Sequence, residues 1–468
     1  MTRRRRAPFP TLAGSGDSRS RGRRRRARGE PVRASRQQGI ALLIAIVTIT
    51  ILAVMVSELH ETTGTGYAVA IAERDALRSE YLARSALDLT RLLVSQELQI
   101  RNAVNPIYQA LVGRPSPQLP VWKLANDILQ PFCDYESVVE AGGSELDFQS
   151  ADGLGGLPGH CEIVSFAENS KVNVNDPLSF ADTQARRSIA MQLFSLMRGN
   201  VSPSPYDELF SSDDADGLFT TRLDVITSVL DWWDADQQRT TFDPGAGTVG
   251  FGGGEDDVYG RFRDPYQIKN APFDSIEELR LVRGVSDDFW ATFVEPDPED
   301  PESRLVTVYG SGAVNPNEAP ADVLLARLCS FLQGEQLCIN PTEQAKFVQL
   351  VTTARAMIPV PFFSSAGDFL TFVQGQGGPS DLYPLLRSNP LAASMLFTPV
   401  TIPNERRAEM EQAFVTAAKI LTIQTTGVVG RTRTRIRAVV NFDERWTPPP
   451  PNAGRLPPLG VYHHYRID

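Results

Sequence analysis

The sequence has few residues of the types that carry catalysis or bind zinc. It contains only four histidines and four cysteines in 468 residues. The cysteines form no Cys-x-x-Cys pair, and the histidines do not complete a zinc-binding pattern. No nucleophile-elbow motif surrounds a serine, and no glycine-rich loop is suited to binding phosphate. These absences argue against an enzyme and favour a protein that works by binding or assembly.

Charge is distributed unevenly along the chain. Residues 1–38 contain 13 arginines, no lysine and two acids, so their formal charge is +11. The other residues comprise 33 basic and 54 acidic side chains, so their formal charge is −21. This acidic part should repel nucleic acid and anionic membranes, and it can attract divalent cations.

The arginine-rich start is also rich in serine, glycine and proline, and it has too few large apolar side chains to fold alone. We interpret it as a cytoplasmic tail or as the product of a partly misassigned start codon. Nucleic-acid binding is the less favoured alternative, because no aromatic residues alternate with the arginine clusters.

An uncharged run of 17 residues extends from Ile40 to Val56. As a helix it would be about 26 Å long, which with Ser57 and the flanking residues is enough to span a membrane. The arginines before it keep the N-terminus cytoplasmic, so the bulk of the chain would lie outside. A cleaved secretory signal does not fit, because the run is too long and no small-x-small site follows it.

The helical pattern continues beyond this run. Apolar residues recur at spacings of three and four, with charges between them, at Leu77, Tyr81, Leu82, Ala86, Leu89 and Leu93. One helix from Ile40 to about Glu97 is therefore predicted, apolar on all sides in its first third and amphipathic after it. Such a helix suits a segment that lies first in a membrane and then packs on a globular head.

Two similar short segments precede the helical parts of the chain. "SKVNVNDP" (170–177) predicts a short strand before a turn, and "AVNPNEAP" (313–320) repeats its V-N-x-N pattern about 140 residues later. The repeat indicates two related helical subdomains, each of which follows one copy of the segment. Helices are predicted at 184–198, 222–233, 319–333, 341–357, 365–375, 379–387 and 404–416.

The segment "DSIEELRLVRGVSDDFWATF" (274–293) predicts a helix-hairpin-helix. Ser275 and Glu278 have the spacing of a capping box, and Ser286 can cap the second helix. Helix-hairpins often bind DNA phosphates, but here only Arg280 and Arg283 are basic. Packing is therefore favoured over DNA binding as the role of this unit.

Near the C-terminus, "KILTIQTTGVVGRTRTRIRAVVNF" (419–442) predicts a β-hairpin with its turn at Gly427 to Gly430. Arginine alternates with other residues in the second strand, which indicates a solvated face opposite a buried one. A nucleic-acid stripe is the less favoured interpretation.

The four cysteines allow two readings. If the chain is exported, their even number predicts two disulfides, with the local pairs Cys133–Cys161 and Cys329–Cys338 preferred. If the chain is cytosolic, they are four buried thiols.

Two acidic loops flank a glycine-rich segment, "DWWDADQQR" (231–239) and "GGGEDDVYG" (252–260). Carboxylates on turns are the hard oxygen ligands that Ca²⁺ prefers, although the spacing is not that of an EF-hand. A solvated acidic loop is the alternative. The candidate ligands are Asp231, Asp234, Asp236, Glu255, Asp256 and Asp257.

Several of these features together resemble a known family. A basic leader that ends in Gly39, an uncharged start and an amphipathic extension resemble type IV pilins and the pseudopilins of type II secretion. The fifth residue after Gly39 is Ile44, where most members have Glu, and this departure is a feature of the K-type minor pseudopilins. The same family is similar in "KVNVND", "VLDWWDAD" (229–236), "PYQIKNAPFDSIEELRLVRGV" (265–285) and "TVYGSGAVNPNEAP" (307–320).

The resemblance implies an α+β fold, in which a pilin-like core of one long helix on a small antiparallel sheet contains a large α-helical insertion of two SAM-like or helix-hairpin subdomains. It also implies cleavage by prepilin peptidase between Gly39 and Ile40, with N-methylation of Ile40, and it favours calcium at the acidic loops. The expected segments are a cleaved leader (1–39), an N-terminal helix (40–100, membrane-spanning at 40–57), the first part of the core (101–182), two helical subdomains (183–308 and 309–397) and the rest of the core (398–468).

The function implied is that of a non-enzymatic minor pseudopilin at the tip of the type II secretion pseudopilus. It would lie in the bacterial inner membrane with its head in the periplasm. Its expected partners are other minor pseudopilins, prepilin peptidase and the inner-membrane assembly platform, with no nucleic acid. The alternatives are a periplasmic DNA-uptake protein that uses the helix-hairpin, and an uncleaved single-span receptor.

Overall fold

The computed structural model describes residues 37–113, 115–133, 159–175, 183–211, 217, 219–255, 259–260, 262, 264–357, 361–376, 382–388, 393–443 and 459–468. The chain divides into two compact units, Met1–Ala70 and Ile71–Asp468. The predicted leader, apart from residues 37–39, lies outside the described residues.

The described residues form helices and strands with the following bounds. The helices are α1 (Gln37–Ser95), α2 (Glu97–Val112), α3 (Ala125–Cys133), α4 (Thr183–Leu196), α5 (Arg222–Trp233), α6 (Ala321–Phe331), α7 (Gln336–Ile339), α8 (Pro341–Met357), α9 (Ala366–Val373), α10 (Leu382–Ser388) and α11 (Asn404–Gln412). The strands are β1 (His160–Ala167), β2 (Val172–Asn173), β3 (Gln238–Asp243), β4 (Thr248–Gly254), β5 (Val306–Thr307), β6 (Ile420–Val429), β7 (Thr432–Asn441) and β8 (Val461–Ile467).

In the first unit, the described residues belong to α1. Every side chain from Ile40 to Ala70 is exposed. Within the described part of the chain, α1 is the one helix that is long and apolar enough to cross a membrane. The predicted membrane-spanning segment, residues 40–57, therefore lies on a continuous apolar helix.

The second unit contains a four-stranded antiparallel sheet with the strand order β1-β6-β7-β8. The part of α1 that belongs to this unit packs on one face of the sheet. Ala83 and Leu87 of α1 share a buried cluster with Ile423, Ile436 and Ala438 of the two central strands. The predicted α+β fold, with a long helix on a small antiparallel sheet, is confirmed.

Glycine allows α1 to approach the sheet closely at one point. A Cβ atom added to Gly427 in β6 would lie 2.0 Å from the carbonyl oxygen of Ser79 and 2.9 Å from the amide nitrogen of Ala83. The prediction that the hairpin turn begins at Gly427 is wrong, because β6 continues to Val429 and the turn is formed by Gly430 and Arg431.

The fourth strand, β8, has no counterpart among the sequence predictions. Arg91 of α1 anchors its start, since its guanidinium donates hydrogen bonds to the Tyr462 hydroxyl (2.7 Å) and to the carbonyl oxygens of Leu459 (2.9 Å) and Gly460 (3.2 Å). The Arg91 guanidinium also lies 4.4 Å from the centre of the Tyr462 ring. This strand therefore depends on contacts with α1 as well as on pairing with β7.

Residues 168–419 form an insertion between β1 and β6, which are neighbours in the sheet. One hydrophobic cluster runs through the insertion from Val172 to Phe414. It includes residues of both predicted helical subdomains, and also Met410 and Phe414 from the segment that the sequence assigned to the core. The short parallel pair β2–β5 joins the start of the insertion to its middle.

The repeated V-N-x-N segments adopt the same local structure. The side-chain oxygen of Asn173 accepts a hydrogen bond from the backbone N–H of Asn175, and Asn315 does the same for Asn317, both at 2.9 Å. Each first asparagine thus closes an Asx turn. The similarity seen in the sequence is therefore also a similarity of structure.

The side chain of the second asparagine in each copy forms two hydrogen bonds with the backbone of a phenylalanine that is distant in the sequence. Asn175 accepts a hydrogen bond from the N–H of Phe273 (3.3 Å) and donates to its carbonyl oxygen (3.0 Å). Asn317 likewise accepts from the N–H of Phe363 and donates to its carbonyl oxygen, both at 2.9 Å. The two halves of the insertion are therefore stabilised by the same arrangement of asparagine hydrogen bonds.

The helix-hairpin differs from its prediction at the first helix. Ser275 makes no capping hydrogen bond with its side chain, and Ile276–Leu281 is a 3-10 helix, so the predicted capping box is wrong. Glu278 instead accepts from the N–H of Asp274 and pairs with Lys269. Ser286 caps the next helical segment as predicted, because its hydroxyl accepts from the N–H of Phe289.

The structure contains the disulfide Cys329–Cys338, which links α6 to α7. Cys161 is also disulfide-bonded. The side chain of its predicted partner, Cys133, lies outside the described residues, and that pairing stays a prediction.

Candidate metal centre

Three of the six predicted carboxylates come together in the insertion. Asp231, Asp234 and Glu255 each place a carboxylate oxygen within 4.8 Å of the others. Their side chains are buried, and the exposed fraction of each residue is 4% or less. A buried group of three carboxylates is not a solvated acidic loop.

Two elements bring these carboxylates together. Asp231 lies in the last turn of α5 and Asp234 is the residue that ends this helix, while Glu255 directly follows β4. The C-terminus of a helix carries a partial negative charge, which adds to the repulsion among the carboxylates. The site is therefore strongly negative unless cations balance it.

Arg186 on α4 supplies one positive charge from inside the protein. Its Nη1 lies 3.1 Å from Oδ2 of Asp234, and its Nη2 lies 3.2 Å from Oδ2 of Asp236. Neither oxygen of Asp234 accepts a hydrogen bond within the described residues. Asp234 shares this guanidinium with Asp236, so Arg186 offsets only part of the negative charge of the site.

Sequence reasoning did not single out Arg186. It lies on the same helical face as Ile189 and Leu193, three and seven residues later, and it is 5% exposed. The sequence did contain a signal for this residue, because an arginine on the apolar face of a predicted helix is expected to have a buried acidic partner.

The other predicted ligands are placed differently. Asp236 lies outside the group of three, with its Oδ1 accepting from the N–H of Gln238 at 2.8 Å and its Oδ2 close to Arg186. Asp256 and Asp257 lie outside the described residues, so their part in the site stays a prediction.

Burial raises the pKa values of two of the carboxyls. The pKa of Asp231 is raised to about 6 by burial, although the N–H of Thr240 donates a hydrogen bond of 2.7 Å to it. The pKa of Asp234 is raised to about 7 by burial, against the effect of Arg186. In the absence of a metal, both groups thus hold protons at pH values where free carboxyls are ionised.

The donor set fits calcium. Ca²⁺ takes six to eight oxygen ligands at flexible distances, and carboxylates can bind it through one oxygen or two. Asp231, Asp234 and Glu255 can supply part of such a shell, with backbone oxygens and water as the usual complement. A bound divalent cation would also remove the cost of burying three carboxylates side by side.

The metal-free protein is expected to lose stability as the pH rises from 5 to 7.5. The pKa values of Asp231 and Asp234 are raised on folding, so the native state binds more protons than the unfolded state between about pH 4 and 7. The stability that these protons contribute is complete below pH 4 and falls as they dissociate. Each pKa unit corresponds to about 1.4 kcal/mol, so the loss should be a few kcal/mol. Denaturant unfolding in excess chelator at pH 5, 6 and 7.5 measures it, and a free energy of unfolding that rises with pH would contradict it.

The two arginines of the helix-hairpin each contact other residues of the same chain. Arg280 pairs with Asp287 at 2.9 Å and lies 4.0 Å from the centre of the Trp290 ring. Arg283 donates to the carbonyl oxygen of Phe219 at 3.2 Å. These contacts favour packing rather than DNA binding for this unit.

Comparison with known families bears on the part of the chain that holds the carboxylates. Residues 206–294 match the family model described as "Type II secretion system (T2SS), protein K". Over these residues the chain is similar to type II secretion protein K, and we call residues 206–294 the protein K domain. The protein K domain contains α5, the β3–β4 hairpin, all three carboxylates and the helix-hairpin, whereas Arg186 precedes it. The resemblance to K-type minor pseudopilins that the sequence motifs indicated is confirmed here.

Other comparisons add little to the protein K match. No curated protein sequence matches the chain. Among solved structures, the chain is similar to a chain of the GspK-GspI-GspJ complex from the type II secretion system of enterotoxigenic Escherichia coli. The identity is 14%, over 66% of this chain and 78% of that one, with a TM-score of 0.36. A likeness at that score decides nothing further.

Proposed function

We propose that the protein is a non-enzymatic minor pseudopilin of the K type. It caps the tip of the type II secretion pseudopilus, initiates assembly with other minor pseudopilins and supports protein export across the outer membrane. The observation that carries this proposal is the position of the protein K domain. It lies in an insertion between the neighbouring strands β1 and β6 of a sheet that packs on the long N-terminal helix.

Two features support the place at the tip. Residues 168–419 form a large insertion, which would hinder the regular stacking of identical subunits along a filament. Ile44 occupies the position where most pilins have a Glu, which is thought to pair with the N-terminal amine of the subunit above. A subunit at the top has no neighbour above it, and an apolar residue costs less in lipid than a carboxylate.

The proposed location is the bacterial inner membrane, with residues 40–57 spanning it once. The arginines before Gly39 favour a cytoplasmic N-terminus and a periplasmic head. The disulfide Cys329–Cys338 fits an oxidising compartment such as the periplasm. The partners are the other minor pseudopilins, prepilin peptidase and the inner-membrane assembly platform.

We assign calcium a structural role in this protein. Asp231, Asp234 and Glu255 would hold the ion and thereby join the end of α5 to the end of β4. The positive charge of the ion would offset the repulsion among the three buried carboxylates.

Mass spectrometry of the N-terminal peptide from purified membranes tests the proposed processing. The expected mature chain begins at Ile40 and carries one methyl group on its amine. In a Gly39→Leu variant, a bulky side chain stands at the cut position, so the uncut precursor should accumulate. A wild-type chain that keeps residues 1–39 would instead fit the uncleaved receptor and contradict the pseudopilin.

A further inference from the structure

One buried arginine is shared between the group of three carboxylates and an acid outside that group. The side chain of Arg186, on α4, is 6% exposed. Its Nη1 lies 3.1 Å from Oδ2 of Asp234, which belongs to the group. Its Nη1 and Nη2 also lie 3.2 Å each from Oδ2 of Asp236, which does not belong to it. The guanidinium therefore lies at the edge of the candidate metal centre and contacts two carboxylates.

The two contacts of Arg186 differ in kind. Both terminal nitrogens donate a hydrogen bond to Oδ2 of Asp236. The contact with Asp234 is an ion pair without such a bond, since neither oxygen of Asp234 accepts a hydrogen bond within the described residues. Hydrogen bonds between charged groups are both strong and directional. Asp236 is thus the stronger partner of Arg186, and the oxygens of Asp234 can still accept another cation.

Other contacts hold Arg186 in place independently of Asp234. Oδ1 of Asp236 accepts a hydrogen bond from the backbone N–H of Gln238 at 2.8 Å, which fixes the carboxylate that binds the guanidinium. The guanidinium also lies 5.2 Å from the centre of the Phe251 ring in β4, within the range of a cation–π contact. If a metal ion bound Asp234, Arg186 would therefore remain next to the site and stay paired with Asp236.

A positive charge at this position has opposite effects with and without a metal. Without a metal, it offsets part of the negative charge of carboxylates that are buried side by side, which stabilises the native state. With a divalent cation bound, it repels that cation, because like charges interact strongly where water is largely excluded. Arg186 and the ion would thus compete for Asp234.

We propose that Arg186 is an internal counter-ion that stabilises the metal-free site and weakens its affinity for calcium. In the metal-free protein, Asp234 and Asp236 share the guanidinium; when the ion binds Asp234, the guanidinium keeps Asp236. The inference rests on the proposed calcium role and adds the residue that sets how tightly the ion is held. Because Arg186 lies on α4, whereas the three carboxylates lie at the ends of α5 and β4, ion binding is coupled to the position of α4.

The alternative role for Arg186 is to orient Asp234 as a metal ligand. Residues with that role hydrogen-bond the ligand, and their replacement weakens metal binding. Within the described residues, Asp234 accepts no hydrogen bond from Arg186, which favours the counter-ion. The two roles predict changes of opposite sign in the Kd for calcium when the arginine is removed.

Calorimetric titration with calcium at pH 7.5 tests the proposal on the full-length, detergent-solubilised protein after its metal has been removed with chelator. Arg186→Met removes the charge and keeps a long side chain. Its Kd for calcium should be lower than that of the wild type by about tenfold or more, because the repulsion between two nearby charges is lost. The metal-free variant should melt at a lower temperature than the metal-free wild type. Calcium should therefore raise the melting temperature of the variant by more.

Two further variants separate charge from position. Arg186→Lys keeps the charge, so its Kd should stay close to that of the wild type. Arg187→Met is the matched control, because Arg187 is the next residue of α4 and makes no ion pair within the described residues, so the Kd should not change. If metal-free Arg186→Met does not fold, Arg186→Gln takes its place, since glutamine also lacks the charge and can donate a hydrogen bond to Asp236.

The possible results distinguish this inference from the calcium role on which it rests. A calcium-binding wild type whose Kd is equal to or lower than that of the neutral Arg186 variants would overturn the counter-ion and leave the calcium role in place. The same gain in affinity in Arg187→Met would show a general effect of charge and would also overturn it. A wild type that binds no calcium would contradict both.

Discussion

Chelation of calcium is expected to lower the melting temperature of the detergent-solubilised protein by about 5 °C or more at pH 7.5. Asp231, Asp234 and Glu255 bring three buried carboxylates within 4.8 Å of one another. Arg186 pairs with Asp234 of this group and also with Asp236. A ligand that binds only the native state at a hundred times its Kd adds about 2.7 kcal/mol of stability. For a folding unit of about 250 residues, the length of the insertion, each kcal/mol shifts the melting temperature by roughly 2–4 °C.

Two asparagine variants separate a metal site from a general effect of acidic charge. Asp234→Asn removes a carboxylate from the group of three, so the response to chelator should disappear. Asp236→Asn removes the same charge two residues later, from a side chain that lies outside the group and is 35% exposed. This second variant should keep the response of the wild type.

Thermal unfolding with excess calcium, with excess magnesium and with chelator provides the measurement. Calcium should protect more than magnesium, because Mg²⁺ requires a near-ideal octahedral shell and sheds its water reluctantly. An identical melting temperature in calcium and chelator would refute the site. An equal loss of response in both asparagine variants would show that the ligand set is wrong.

The group of three carboxylates shows what the sequence could and could not predict. The acids in "DWWDADQQR" and "GGGEDDVYG" indicated the region in which three carboxylates meet, because acidic residues clustered on predicted turns can be recognised in the sequence. Which acids converge depends on how the end of α5 meets the end of β4, and spacing alone does not determine that. Arg186 was missed for the same reason, since it reaches the site from another helix.

The fold, too, could be predicted from the sequence only in part. Long periodic elements such as α1, α5 and α8 follow from local patterns of apolar residues, and their predicted bounds agree closely with the structure. The strand β8 was missed because its pairing depends on β7 and on Arg91, which lies 368 residues before Leu459. Gly427 was assigned to a turn because glycine is common in turns, whereas its place in the structure is set by the approach of α1.

Gly427→Ala is expected to destabilise the second unit by about 3 kcal/mol or more, near the upper end of the usual cost of overpacking. The added Cβ would lie 2.0 Å from the carbonyl oxygen of Ser79 and 2.9 Å from the amide nitrogen of Ala83. Both atoms belong to the backbone of α1 and cannot rotate away, so the helix must move off the sheet. That movement would also open the contacts of Ala83 and Leu87 with Ile423 and Ile436.

Gly252→Ala is the matched control, because Gly252 also lies in a strand, β4, and a Cβ there would meet no atom within 4 Å. Its effect on the melting temperature should be small. Hydrogen exchange locates the damage: in Gly427→Ala, faster exchange is expected for the amides of α1 from Ile71 to Ser95 and for β6 and β7. If the two alanine variants melt at the same temperature, α1 does not pack on the sheet as closely as this backbone contact requires. The description of the core as a long helix packed on the sheet would then be wrong.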